Sequence, residues 1–294
     1  MTSAVAQRAP VPRNESIPES RNNPRNSSTC SIPSPSRLGS STTGSPIITN
    51  TARNRLLHAA HPYGNYHNYY SHRTDSRLAL LPPSLFAGKR VLDLGCNAGN
   101  ISLEIKGLGA RAVLGIDIDE VLIQQARALS VETAGGQPNG GGEGVAGVEF
   151  IQGDFMQPNY FHSLFDFPTP DLVSAIKSDA TPPNATRRER PETILLLSIT
   201  KWLHLHHHDA GLLLLFRTLY SLLPSGGTLI IEPQEWANYA RATKKNKELR
   251  EVYKGLRMRP DFVLELEGVG FRCVGRIERV EGGFSRPLYQ WRKD

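Results

Sequence analysis

The sequence predicts an α/β fold built on a mostly parallel sheet, and three observations carry that prediction. From Arg90 onward, short apolar runs alternate with stretches whose apolar residues recur at helical spacing, the pattern left by strand-helix-strand crossovers. The first run, Val91-Leu92-Asp93-Leu94, breaks into Gly95-Cys96-Asn97-Ala98-Gly99-Asn100, a glycine-bearing turn that lets the backbone approach a ligand closely. The second closes on Gly115-Ile116-Asp117-Ile118-Asp119, which places an acid where it can accept both hydroxyls of a ribose.

The elements follow in order. Arg90 to Leu94 is a first strand, Ile101 to Lys106 begins a helix, and Ala112 to Ile116 is a second strand. Val121, Leu122, Gln125, Ala126 and Leu129 then share one helix face, with Asp117 or Asp119 as the capping residue. Gly135 to Gly147 reads as a loop, and Val148 to Gln152 as a third strand ending at Gly153-Asp154-Phe155. Ile194 to Leu197 is an apolar fourth strand, while Asp171 to Ile176 fits a helix or a strand equally. Asp209 is the expected N-cap of a helix through Leu222, after which Pro224-Ser225-Gly226-Gly227 turns the chain into the strand Thr228 to Glu232. Lys244 to Leu256 reads as a basic helix, and Phe271 to Glu278 with Leu288 to Arg292 as an antiparallel hairpin at the sheet edge.

Composition bounds the rest. Residues 1–55 are dominated by Ser, Pro, Asn, Thr and Arg and cannot bury enough apolar area to offset their ordering entropy, so a disordered tail is expected there. Residues 56–294 fit one domain, with the Pro-rich stretch 157–192 as an insertion. Cys30, Cys96 and Cys273 are odd in number and far apart, which argues against a disulfide framework or a zinc cage. No apolar run approaches the ~20 residues of a membrane span and the N-terminus has no apolar h-region, so a soluble, intracellular protein with no membrane partner is expected. A monomer is expected as well.

The net charge of +6 is unevenly placed. Between Arg241 and Arg259, eight basic residues (Arg241, Lys244, Lys245, Lys247, Arg250, Lys254, Arg257 and Arg259) face two acids, Glu248 and Glu251. Such a stripe attracts a polyanion or forms an ordinary solvated helix face, and charge alone weighs the two equally.

The glycine turn lacks the full G-x-G-x-x-G of a pyrophosphate site, and Asp93 at the tip of the first strand would repel a pyrophosphate while suiting an ammonium or sulfonium. The cofactor read from these residues is S-adenosylmethionine. Ahead of the first strand, Tyr63-Gly64-Asn65-Tyr66-His67-Asn68-Tyr69-Tyr70 with Arg73 and Arg77 sets four tyrosines and two arginines in fifteen positions. They supply ring faces for stacking and donors for phosphate oxygens, or else a lid that packs the domain edge. After the fourth strand, Lys201 and His204 stand three apart where ligands sit in open α/β sheets, and are expected to converge on one anion. His206-His207-His208 reads as a polar loop rather than a metal site, since neighbouring histidines in a loop cannot all reach one ion.

Five alternating strands and helices followed by a hairpin are similar to the sheet of class I S-adenosylmethionine-dependent methyltransferases, a Rossmann-like, mostly parallel seven-stranded sheet whose last strand is antiparallel. The chain further resembles the RNA 5′-phosphate methyltransferases of the bicoid-interacting type, which include the methylphosphate capping enzyme of small nuclear RNA. The likeness rests on YGNYHNYY with Arg73, SRLALLPPSLFAGKRVLDLGCNAGNISL, GIDID, LLLSITKWLHL, SGGTLIIEPQEW and GFSRPLYQW, and spans most of residues 62–292. The resemblance implies cofactor contacts at Tyr70, Arg77, Gly95, Cys96, Asn97, Asp117, Ile118, Asp154, Phe155 and Leu197. It implies contacts to the RNA end at Tyr69, Arg73, Lys201, His204 and Arg286, with Lys201 and His204 the catalytic pair and no metal. It also implies a nuclear (alternatively cytoplasmic) protein that methylates the terminal phosphate, the γ-phosphate in the first instance, of a small RNA, with ribonucleoprotein partners. The residues leave open a methyltransferase for a protein or small molecule, and an RNA-binding scaffold. The His206 to His208 run, a shorter leader-to-strand spacer and the expanded 157–192 stretch depart from the family pattern and bear on which RNA fits.

Overall fold

The computed structural model describes residues 63, 77–137, 142–168, 187–278 and 286–294. All of these lie in the compact unit Thr49–Asp294. The 1–55 tail, Tyr69, Tyr70, Arg73 and the Asp171 to Ile176 stretch fall outside the described residues.

Seven strands form one sheet: β1 (Arg90–Leu94), β2 (Ala112–Asp117), β3 (Val148–Gln152), β4 (Thr193–Leu197), β5 (Thr228–Glu232), β6 (Phe271–Ile277) and β7 (Leu288–Lys293). Their order is β3-β2-β1-β4-β5-β7-β6. The first five strands pair in parallel, and β7 inserts antiparallel between β5 and β6. β4 and β5 are buried along their whole length, which is why both read as unbroken apolar runs. At the outer edge β6 exposes most of its residues and carries an irregularity between Cys273 and Gly275, features that discourage further strand pairing.

Alternation along the strands feeds two cores. Leu92, Leu94, Ile194 and Leu196 face one layer, whereas Val91, Leu195 and Leu197 face the other. The second layer is closed by the 3₁₀ turns Leu78–Leu80 and Pro83–Leu85 and by α1 (Asn100–Gly107), which buries Ile101 and Ile105. α2 (Glu120–Thr133) is capped by Asp119, whose carboxylate accepts from Val121 N at 2.9 Å and Leu122 N at 3.1 Å. A short α3 (Tyr160–Leu164) lies within the stretch expected to be an insertion.

α4 (Thr200–Leu222) differs from expectation. It starts nine residues before Asp209, carries His206 and His207 as helical residues, and is interrupted at His208 (φ 59°, ψ −177°). Asp209 does not cap it. Its carboxylate instead accepts from His204 Nε2, Arg257 N and Met258 N, tying the helix to a distant loop. The basic stripe is likewise two elements, the end of α5 (Trp236–Thr243) and α6 (Lys247–Gly255), the latter capped by Asn246. These helices pack on α4 through Tyr239, Leu256 and Leu205. α7 (Val263–Val269) then leads into β6. No helix among the described residues is long and apolar enough to cross a membrane.

Candidate active site

A cleft opens at the carboxyl ends of β1 to β4, the position that open α/β sheets leave for a ligand. Its floor comes from the β1 turn. Gly95 takes φ 76°, and a Cβ there would lie 2.6 Å from Ile199 Cγ2, so a side chain is excluded on both grounds. Gly95 N and Cys96 N both donate to Ile116 O, at 2.7 and 3.1 Å, which fastens the turn to β2.

Asp117 bridges the two strand ends. It is 7% exposed, and its Oδ2 accepts from Asn97 N at 2.9 Å while Oδ1 accepts from Asp119 N at 3.0 Å. Burial pushes its carboxyl above the usual range, against the pull of those backbone donors. Across the cleft Asp154 follows β3, held by Met156 N and Gln157 Nε2, with Phe155 beside it. Asp93 does not line the cleft: it is buried beneath α1, accepts from Ser102 Oγ at 2.6 Å, and is raised to about 6 by burial.

On the opposite wall the chain leaves β4 through Ser198, a residue at φ 62°. Two polar side chains, one closing β5 and one just beyond it, clamp this turn. Glu232, fully buried, accepts from Ser198 Oγ and, at 2.9 Å, from Arg77 Nη1. Gln234 donates through Nε2 to Ser198 O and accepts through Oε1 from Thr200 Oγ1 at 3.1 Å and Lys201 N at 3.0 Å. Arg286, from the segment before β7, reaches over to donate to Ser198 Oγ at 3.0 Å. Lys201 extends its ammonium over the Trp202 ring, 4.5 Å from the centroid. Burial draws its pKa down to about 8, with Arg286 and Arg241 repelling its charge further. Three cations therefore gather beside the cleft.

Trp202, His206 and His207 line the cleft from α4, together with Tyr63 of the leader, whose ring lies 4.8 Å from that of His206. The Trp202 and His206 rings are near parallel with centroids 6.5 Å apart.

The structure thus brings Gly95, Asn97, Asp117, Ile118, Asp154 and Phe155 to one cavity. Three other expected cofactor residues present no side chain to it. Cys96 packs among Ile123, Ala126 and Phe150, Leu197 lies in the second core layer, and Arg77, 1% exposed, is paired with Glu232. The expected convergence of Lys201 and His204 is corrected. His204 is fully buried, with Nε2 2.6 Å from Asp209 Oδ1 and Nδ1 3.3 Å from Tyr239 Oη, because α5 and Phe262 close over that side of α4. Burial lowers its pKa, although Asp209 pulls the other way. Sequence reasoning passed over Ser198, Glu232, Gln234 and Trp202. The signal available for Glu232 and Gln234 was the one applied to β4: polar residues at the carboxyl end of a parallel strand. Among the described residues no group of His, Cys, Asp and Glu side chains is placed to hold a metal ion.

A sheet of order β3-β2-β1-β4-β5-β7-β6 with antiparallel β7 and a ligand cleft over β1 to β4 defines the class I S-adenosylmethionine-dependent methyltransferase fold. In agreement, the solved structure of the N-methyltransferase NodS from Bradyrhizobium japonicum, in complex with S-adenosyl-L-homocysteine, superposes with a TM-score of 0.50 at 14% identity, over 84% of this chain and 98% of that one. The family model of Bicoid-interacting protein 3 (Bin3) matches residues 192–293, and that of ribosomal protein L11 methyltransferase (PrmA) matches residues 71–131. The U6 snRNA methylphosphate capping enzyme Amus of Drosophila melanogaster is 34% identical over 244 residues, 77% of this chain and 73% of that protein. The 7SK snRNA methylphosphate capping enzyme of Homo sapiens is 31% identical over 271 residues, 79% of this chain and 39% of that one. The chain belongs to the Bin3 family of RNA 5′-phosphate methyltransferases.

Proposed function

We propose that this chain methylates the 5′-terminal phosphate of a small RNA, the γ-phosphate in the first instance, with S-adenosylmethionine as donor. One observation carries the reading: a lysine and an arginine, Lys201 and Arg286, flank the Ser198 turn on one wall of the cleft. The relatives' names point to the same chemistry, since those proteins are methylphosphate capping enzymes of small nuclear RNA.

The cleft residues suit the cofactor. Asp117, with one lone pair on each oxygen already committed to a backbone N–H, keeps acceptor capacity for two ribose hydroxyls, and the missing Cβ of Gly95 leaves room for close backbone approach. Asp154 and Phe155 offer an acceptor and a ring edge for a purine. Bound there, S-adenosylmethionine supplies an electrophilic methyl carbon, which a terminal phosphate oxygen takes as the carbon–sulfur bond yields its electron pair to sulfur, giving a methyl phosphate ester and S-adenosylhomocysteine.

A phosphate oxygen is anionic at neutral pH, so no residue has to remove a proton from it. What remains for the protein is to hold that oxygen ~3 Å from the carbon and on axis. Lys201 and Arg286 do this by charge-assisted hydrogen bonding, and the Trp202 and His206 rings offer faces for the first base. The charge of a triphosphate end fits a cluster that also feels Arg241. His204 acts through position: its bonds to Asp209 and Tyr239 fix the helix that carries Lys201.

Lys201→Ala is expected to lower methyl transfer to a 5′-phosphorylated RNA by ~100-fold, the scale of losing one preorganised donor to an anion, while a calorimetric isotherm gives unchanged cofactor affinity. Full turnover in the variant, or a parallel loss of cofactor binding, contradicts the assignment.

A further inference from the structure

The hairpin of α5 and α6 is two-sided. Trp236, Tyr239 and Ala242 from α5 and Leu249, Val252 and Tyr253 from α6 pack around Leu205 and Leu256. What they leave outward is basic: Arg241, Lys244, Lys245, Lys247, Arg250 and Lys254 are all exposed. Of the two acids there, Glu251 is held by Lys254 at 2.8 Å.

This surface carries a shallow, open recess of about 310 Å³, lined by Ala240, Thr243, Lys244, Arg250, Tyr253 and Lys254, with no acidic residue in its wall. Arg250 Nη2 donates to Lys244 O, which folds its guanidinium back across the junction between the helices. Arg250 and Lys254 stand four apart on α6, a mildly unfavourable like-charge spacing that Glu251 relieves at Lys254. The Tyr253 ring that forms one wall is 4.6 Å from the Trp236 ring, on whose face Arg259 sits at 4.1 Å. Exposed cations at the rim of a concavity whose wall is mostly carbon, with the Tyr253 ring on one side, suit a phosphodiester and its adjoining nucleoside.

We propose that this recess is a second RNA site, which takes an internal backbone phosphate of the same RNA whose 5′ end lies at Lys201. The inference rests on the functional reading above for the identity of the anion. The two sites are joined through one apolar cluster: Trp202 of the cleft wall and Trp236 and Tyr253 of the hairpin all pack against Leu205, Tyr239 and Leu256. The charge of Arg241, on the same hairpin, also bears on Lys201. The consequence is a substrate preference: RNA long enough to reach the recess binds better than its own 5′ end alone.

The test compares the full chain with a variant carrying Lys244→Gln, Arg250→Gln and Lys254→Gln, on a 5′-triphosphorylated trinucleotide and on a longer RNA with the same 5′ end. Fluorescence anisotropy over a salt series should give an affinity for the longer RNA reduced about tenfold or more, and a salt slope shallower by about 0.7, the value for one lost single-strand phosphate contact. Methyl transfer to the trinucleotide should be unchanged. An unaltered affinity and slope for the longer RNA overturns the proposal, as does an equal loss on the trinucleotide, which would place these cations at the cleft. Loss of binding to phosphatidylserine vesicles with RNA affinity intact would assign the recess to a membrane surface and overturn it too. The anisotropy needs no turnover, so a wild-type chain that transfers no methyl group refutes the functional reading separately from the recess.

Discussion

Lys201 is where the electrostatics of this site become measurable. Burial beside Arg286 and Arg241 brings its pKa to about 8, so in the free protein its ammonium deprotonates as pH rises through that value, well below the range of an exposed lysine. If the charge holds the RNA end, kcat/KM stays level below pH 8 and falls above it. Lys201→Arg, whose guanidinium stays protonated, should extend the level region to higher pH at some cost in maximal rate. A wild-type profile flat far beyond pH 8 would remove Lys201 from phosphate binding. At this scale the sequence was legible where the chemistry is local. Gly95 and Asp117 were readable because a tight turn and an acid closing the next strand leave their mark within a few residues. His204 was misread because its surroundings come from Tyr239 and Phe262, far along the chain.

The element that organises the anion side is the end of β5. Glu232 and Gln234 hold Ser198, Thr200 and Lys201 from a neighbouring strand, and Glu232 also neutralises the buried Arg77. Glu232→Ala removes the carboxylate bonded to that buried guanidinium and should cost about 3 kcal/mol in urea unfolding, with Glu232→Gln milder because it keeps an acceptor. Equal stability of wild type and Glu232→Ala would show the pair to be incidental. The strands were legible from the sequence because buried parallel strands write continuous apolar runs. α3 and α7 were not read, being too short to establish a helical period. The sequence places a helix start at Asp209, beside the break at His208, but does not show the helical turns that precede it or the role of Asp209, whose carboxylate is claimed by Arg257 N and Met258 N, a contact with no sequence period.

Across the whole molecule, one sheet sets three things in a row along its carboxyl edge: a nucleoside cleft over β1 to β4, the cation cluster around the Ser198 turn, and the basic α5–α6 hairpin beyond. The order follows from topology, since β4 lies beside β5 only through the crossover of α4. That is also why the glycine turn was readable in full from adjacent residues, while the sequence around Glu232 and Gln234 signalled polar groups at a strand end but not their partners Ser198 and Lys201. That the methyl group ends on a 5′ phosphate is tested by transfer of radiolabelled methyl from S-adenosylmethionine to one short RNA bearing a 5′-triphosphate, a 5′-monophosphate or a 5′-hydroxyl. Label is expected on a phosphorylated end, strongest on the triphosphate, and none on the hydroxyl. Label on all three alike, or on none while the cofactor still binds, would contradict a phosphate acceptor.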